Sequence, residues 1–265
     1  MPMTVITGLV AVVCYLMGVI FQSLNITGNR NTRNKVLTFG LIAVAAHILS
    51  AFGVIRTTTG YHFGISEIST LIAASISILV IISSFRKPLE NLFLGLFPLA
   101  IIAILASLSI NSSYPPVSMS IGLASHVLIS IVAYSIITIA ALQSLFLAFQ
   151  NYRLKHQHAG GIIKRFPPLQ DMESFLFELL WVGEILLTLG MLAGMVFFDD
   201  IWQQEGIIHK AFFSSLAWVV FAVLLWGRHR LGWRGTTAIR GTLIGFIFLI
   251  IGFYGSKFAL EFIFN

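Results

Sequence analysis

The chain shows neither the alternation of a half-buried strand nor the narrow stripe of a soluble helix. It consists of long, nearly unbroken apolar runs separated by short polar connections. A helix needs about 20 mostly apolar residues to cross a hydrocarbon layer about 30 Å thick, at about 1.5 Å rise per residue. Runs that meet this requirement lie at 4–24, 36–54, 67–85, 91–110, 121–149, 174–198, 207–227 and 236–262. From Leu92 to Tyr152 there is no Asp, Glu, Lys or Arg, a stretch too long for one crossing. Asn111-Ser112-Ser113-Tyr114-Pro115-Pro116 divides it, because polar residues and paired prolines end helices. The pattern predicts an all-α fold: a polytopic integral membrane helix bundle of about eight transmembrane helices, forming a single transmembrane domain over residues 1–265. The first run has no basic leading segment and no clear small-residue cleavage site, so it reads as a retained helix rather than a signal peptide.

Composition agrees. The chain is 57% apolar and 10% charged, against about 25% charged in soluble domains. The mean hydropathy is +0.93. A water-soluble domain is excluded, because too little polar surface exists to cover one. The net charge of +6 changes the picture only through its distribution. Grouped by alternate connections, one set holds Arg30, Arg33, Lys35, Arg86, Lys87, Arg153, Lys155, Lys164, Arg165, Arg228, Arg230, Arg234 and Arg240, and the other holds Arg56, Lys210 and Lys257, which is 13 against 3. Basic residues are retained on the cytoplasmic side. Both termini are therefore expected outside, and the basic charge marks orientation rather than a nucleic-acid surface. Cys14 sits alone in an apolar run, so no disulfide framework or CxxC chemistry is available. The longest connection, 151–173, is cytoplasmic in this arrangement, which leaves the membrane and its outer face as the place of action.

Two helices carry small-residue stripes. Gly183, Gly190 and Gly194 recur in the sixth run, and Gly241, Gly245 and Gly252 in the eighth. Spacings of four and seven keep them on one face, where glycine permits close helix packing. They also leave room for a flat ligand.

Ionisable groups in a membrane are costly, and each is a functional candidate. His156, His158 and His229 fall in cytoplasmic connections or at a helix end and read as solvated. His47, His62, His126 and His209 all fall toward the outer side, within about 10 Å of one another in depth. Gly122, Ser130 and Ala133 lie along the face of His126 and leave space for a planar group. Phe212, Phe213 and Leu216 follow His209 as an apolar wall. Neutral imidazole in such surroundings is a good axial ligand for haem iron, and two on facing helices make a bis-histidine site. The alternative is interhelical hydrogen bonding. Glu178 reads as interfacial. Glu184 lies deeper and reads as bonded to a neighbouring helix or as part of a proton path.

Trp181-Val182-Gly183-Glu184-Ile185-Leu186-Leu187-Thr188-Leu189-Gly190-Met191-Leu192-Ala193-Gly194 resembles the helix preceding the haem-handling loop of cytochrome c assembly proteins of the CcsA/CcmC type. Ser215 to Arg228 and Gly245 to Lys257 resemble the helices that follow. Ser125-His126-Val127 resembles the helix that begins with an external histidine. The phrase from Trp226-Gly227-Arg228 to Gly235 resembles the short YpjD/HemX-like inner membrane subgroup. The resemblance implies haem b handling at the outer face of a bacterial inner membrane, with haem-pathway membrane proteins as partners, and His126 carries over as an iron ligand. The family's tryptophan-rich haem motif is replaced by Trp202-Gln203-Gln204-Glu205-Gly206-Ile207-Ile208-His209-Lys210, and no histidine follows the last run.

The leading expectation is a non-enzymatic haem-binding or haem-transporting protein, with His126, His209 and His47 as cofactor-binding residues and haem iron held by His126 and His209. No nucleophile–base pair, Walker loop or HExxH is present. The alternatives are a haem-free scaffold or regulator of tetrapyrrole metabolism, and a small-solute transporter.

Overall fold

A computed structural model of the chain describes residues 3–27, 32–85, 90–110, 116–156, 167–197 and 207–258. Every predicted run corresponds to a helix. These are α1 (Met3–Thr27), α2 (Arg33–Ile55), α3 (Ile65–Ser84), α4 (Phe93–Ser109), α5 (Ile121–Lys155), α6 (Leu169–Phe197), α7 (Ile207–Leu231) and α8 (Thr236–Ile250). A π-helical turn, Ile251–Gly255, carries α8 on into a short α9 (Ser256–Phe258). Among the described residues seven spans are long and apolar enough to cross a membrane, the last running through α8 and α9. The eighth, α4, has 17 residues and is lengthened by the 3-10 turn Glu90–Leu92. The chain is a polytopic membrane protein.

The helices differ from the apolar runs chiefly at their ends. At 35 residues, α5 outlasts the predicted 121–149, and at about 1.5 Å per residue it exceeds the hydrocarbon thickness by about 20 Å. The surplus lies at the end bearing Arg153 and Lys155. Similarly, α6 starts at Leu169 rather than at 174. Polar residues that end a span do not end a helix.

The burial pattern suits lipid. In α1 the large aliphatics Ile6, Leu9, Val13, Leu16, Ile20 and Leu24 are exposed at helical spacing, while Gly8, Ala11, Tyr15, Gly18 and Gln22 are buried. Lipid tails are as apolar as leucine, so contacts between helices favour small and polar residues.

The chain divides at Ser118 into two compact units, α1–α4 and α5–α9. In the first, α1 packs along α2 and α4, and α3 along α2 and α4. The Phe97 ring lies on Gly18 of α1, stacks on Phe93 at 4.6 Å and meets Tyr15 at 4.9 Å. Between α2 and α3 the backbone is sealed rather than loose. Tyr61 N–H donates to Val117 O at 3.1 Å and Val117 N–H to Tyr61 O at 2.9 Å. Gly60, with φ of 151°, fits there because a Cβ would stand 2.8 Å from the Val117 carbonyl oxygen. At the other end of the helices Arg33 Nη2 donates to the Ser84 carbonyl at 2.8 Å, so this basic residue also ties α2 to α3.

In the second unit both glycine stripes are packing faces. Gly183 and Gly190 lie against Ile137 and Ser130 of the antiparallel α5, while Gly241 and Gly245 lie against Leu224 and Phe221 of α7. Tyr134 of α5 donates its hydroxyl to the Leu249 carbonyl at 2.9 Å, just before the π-turn. A polar clasp closes the opposite end. Glu173 accepts from Arg228 Nη1 at 2.9 Å and from the Gly235 N–H at 3.0 Å, with Arg234 Nε at 3.7 Å. The Arg228 guanidinium also lies 4.6 Å from the Phe177 ring centre, and Trp233 folds back onto Gly227. The Trp226–Gly235 phrase is thus the turn that holds α6, α7 and α8 together.

Two substitutions test this packing by thermal unfolding in detergent. Gly245→Leu forces a side chain into the buried Phe221 ring and is expected to cost about 1–3 kcal/mol. Glu173→Ala leaves Arg228 and the Gly235 N–H without their acceptor and is expected to cost about 1.5–3 kcal/mol.

Candidate functional site

His47 belongs to the first unit. Its imidazole is 0% exposed. Nδ1 lies 3.2 Å from the Tyr15 hydroxyl and Nε2 lies 2.8 Å from Thr70 Oγ1. A neutral imidazole has one N–H donor and one lone-pair acceptor, and hydroxyls complement either. One side chain therefore links α1, α2 and α3. Each nitrogen already has a partner, so iron ligation by His47 requires that one of these bonds be given up. Composition gave no hint of Tyr15 or Thr70 as partners. Glu67, one turn before Thr70, is a further buried polar residue of α3. It is 5% exposed and accepts from Ser66 Oγ at 2.9 Å. The available signal is the spacing of Glu67, Thr70 and Ser77 on one face of a serine-containing apolar helix. His62 is half-buried between α2 and α3, and its backbone N–H donates to the Ile55 carbonyl at 2.9 Å.

His126 and His209 belong to the second unit. His126 stands in the second turn of α5, a helix started by Ser120, whose hydroxyl accepts from the Leu123 N–H at 3.2 Å. His126 Nδ1 lies 2.9 Å from the Gly190 carbonyl oxygen. A carbonyl only accepts, so Nδ1 carries the proton and the lone pair lies on Nε2. Metal-ligating histidines characteristically hold their second nitrogen in this way. Gly194 completes the seat, since a Cβ there would lie 3.1 Å from His126 Cε1. Two glycines of the α6 stripe thus position the ring, one by its carbonyl and one by lacking a side chain.

The space expected beside His126 is used differently. At Gly122 the position of a Cβ lies 2.5 Å from the Phe197 ring, so an aromatic side chain of α6 fills it. Ala133 is buried. The small residues of α5 admit α6. His209 is exposed near the start of α7, beside exposed Phe212 and half-buried Phe213, whose rings meet edge to face at 5.4 Å. Most of the Trp202–Lys210 segment, and His158, lie outside the described residues.

Glu178 is exposed. Glu184 is buried, and among the described residues neither carboxyl oxygen has a hydrogen-bond partner, so the expected bond to a neighbouring helix is not made there. The polar link to α7 runs one turn away, where Trp218 Nε1 donates to Thr188 Oγ1 at 2.8 Å.

Stacked apolar helices with small-residue faces and a histidine seated by a backbone carbonyl define a multi-pass membrane protein with an oriented imidazole near the start of α5. Residues 7–264 match the family described as Cytochrome C assembly protein, and the chain belongs to that family. It is 27% identical over 238 residues to the Inner membrane protein YpjD of Escherichia coli (strain K12), covering 89% of this chain and 90% of that one. It is 30% identical over 87 residues to the Cytochrome c biogenesis protein CcsA of Lolium perenne, covering 32% of this chain and 27% of the relative. It is 21% identical over 134 residues to Protein HemX of Brevibacillus brevis, covering 50% and 49%. No solved structure matches the chain. The chain is a multi-pass inner membrane protein in contact with the lipid bilayer, with a role related to cytochrome c biogenesis.

The linkage through His47 is testable apart from any cofactor. His47→Leu removes the imidazole bonds to the Tyr15 and Thr70 hydroxyls and is expected to cost about 1–3 kcal/mol in thermal unfolding, with a smaller loss in Thr70→Val.

Proposed function

We propose that the protein binds and handles haem b at the outer side of the membrane, without catalysing a reaction, in support of cytochrome c biogenesis. His126 is the iron ligand through Nε2, and His209 of the same unit is the second candidate. The carrying observation is the 2.9 Å bond from His126 Nδ1–H to the Gly190 carbonyl. It fixes the tautomer, aims the ring and raises the basicity of the ligating nitrogen. The donor set suits haem iron, since neutral imidazole in apolar surroundings is its usual axial partner. Haem, when bound, would supply an iron centre that changes oxidation state. The chain's own residues would orient the imidazole, and Phe212 and Phe213, close after His209 on α7, would offer apolar surface. The 13-to-3 charge asymmetry supports both termini outside, which puts the His126 end of α5 and the His209 end of α7 on the outer side. Haem-pathway membrane proteins are the partners this reading implies.

A haem-free scaffold or regulator is a second reading. It is favoured by the filling of the Gly122 space by Phe197.

Absorption spectra of the detergent-purified protein, oxidised and reduced, separate the two. The haem reading expects a Soret band that is mostly lost in His126→Ala, weakened in His209→Ala and kept in Thr70→Val. Folded protein with no Soret band after haem addition favours the scaffold.

A further inference from the structure

The acids of α6 fall into two groups. Asp171 and Glu178 are exposed, and Glu173 is held in its clasp. Glu184 stands apart. It lies near the middle of the 29-residue helix, is 8% exposed, and has both oxygens buried without a partner.

The helices packed around it supply no cation at its level. Gly183 meets Ile137 of α5, and Thr188 meets Trp218 of α7. Glu184 is therefore level with stretches that contain no titratable side chain. On α5 none lies between Tyr134 and Tyr152, with His126 beyond on one side and Arg153 and Lys155 on the other. On α7 none lies between Lys210, next to His209, and Arg228, which precedes His229 and Arg230. On α8 and α9 the titratable groups are Arg240, Tyr254 and Lys257, toward the ends of the span. An isolated ionised carboxylate in hydrocarbon costs far more than any one contact returns. It must hold a cation or a proton, and among the described residues these neighbouring helices offer no cation at its level.

We propose that Glu184 is a proton-binding site in the membrane interior, its carboxyl carried as the neutral acid and exchanging its proton with the medium. The proposal is independent of haem. It concerns a different residue, and it stands on burial and the absence of a partner.

Dicyclohexylcarbodiimide tests it. This apolar reagent reacts with neutral carboxylic acids: the acid O–H adds across one C=N bond, and acyl migration to nitrogen leaves a stable N-acylurea. Mass spectrometry of peptides from the unmodified chain in detergent locates the adduct. Infrared spectra of the same protein and of Glu184→Gln report the neutral-acid carbonyl band. The expected result is an adduct at Glu184 that falls severalfold from mildly acidic to alkaline pH, together with a band that falls in parallel and is missing in Glu184→Gln. Either signal at Glu184, falling as pH rises, sustains the proposal. Absence of both, or signals that stay constant wherever the protein remains folded, overturns it. The peptide map and its pH dependence use the natural sequence, so they decide the matter even if Glu184→Gln does not accumulate.

Discussion

Hydrocarbon provides no hydrogen-bond partners, and most of this structure follows from that one constraint. Every polar atom buried in the spans must find its complement within the protein or carry the cost of lacking one. His47 meets the requirement with two hydroxyls from two other helices. Tyr134 meets it with the Leu249 carbonyl beside the π-turn. Serine and threonine hydroxyls such as Ser77, Ser135 and Thr242 return to the carbonyl four residues back, which costs little because a carbonyl has two lone pairs. Against that background an unsatisfied carboxyl in the centre of α6 is an exception that calls for a ligand.

The same constraint explains which residues hold the helices together. With lipid outside, leucine and isoleucine gain little by turning inward, so the sides that meet are those where backbones approach closely. The Gly183–Gly194 and Gly241–Gly252 stripes are such sides, and each is occupied by side chains of one neighbouring helix. At the ends of the helices, where water and headgroups are close, ionic contacts take over. The Glu173 clasp fastens α6 to the α7–α8 turn, and Arg33 fastens α2 to α3. Arg33, Arg228 and Arg234, all on the basic side of the charge asymmetry, thus also close helix ends.

Much of this was legible in the sequence, and the exceptions have physical causes. The spans could be read because crossing hydrocarbon demands a long apolar run, a property of one segment alone. The apolar runs end at 149 and begin at 174 because membrane thickness limits a span, whereas the helices run to Lys155 and from Leu169, since a helix stops only where its backbone bonding stops. The glycine stripes could be recognised as packing faces, but their partners could not, since these depend on which helices meet. For the same reason the sequence around Gly122 implies open space, whereas Phe197 fills it. The partners of His47 lie 32 and 23 residues away in sequence, and no spacing rule connects them. His126 was legible as a candidate from its place near the start of a span. The bond that orients it was not, because a backbone carbonyl has no signature in the sequence.

Gly190 has a double position in the molecule. It is one of the residues on which α6 lies against α5, and it is the acceptor that sets the proton on His126. The imidazole is therefore a gauge of helix register. A slide of α6 along α5 by one turn, about 5.4 Å, would remove that carbonyl from beneath the ring and release the tautomer. Mechanical strain between two helices would then be felt as chemistry at a single nitrogen.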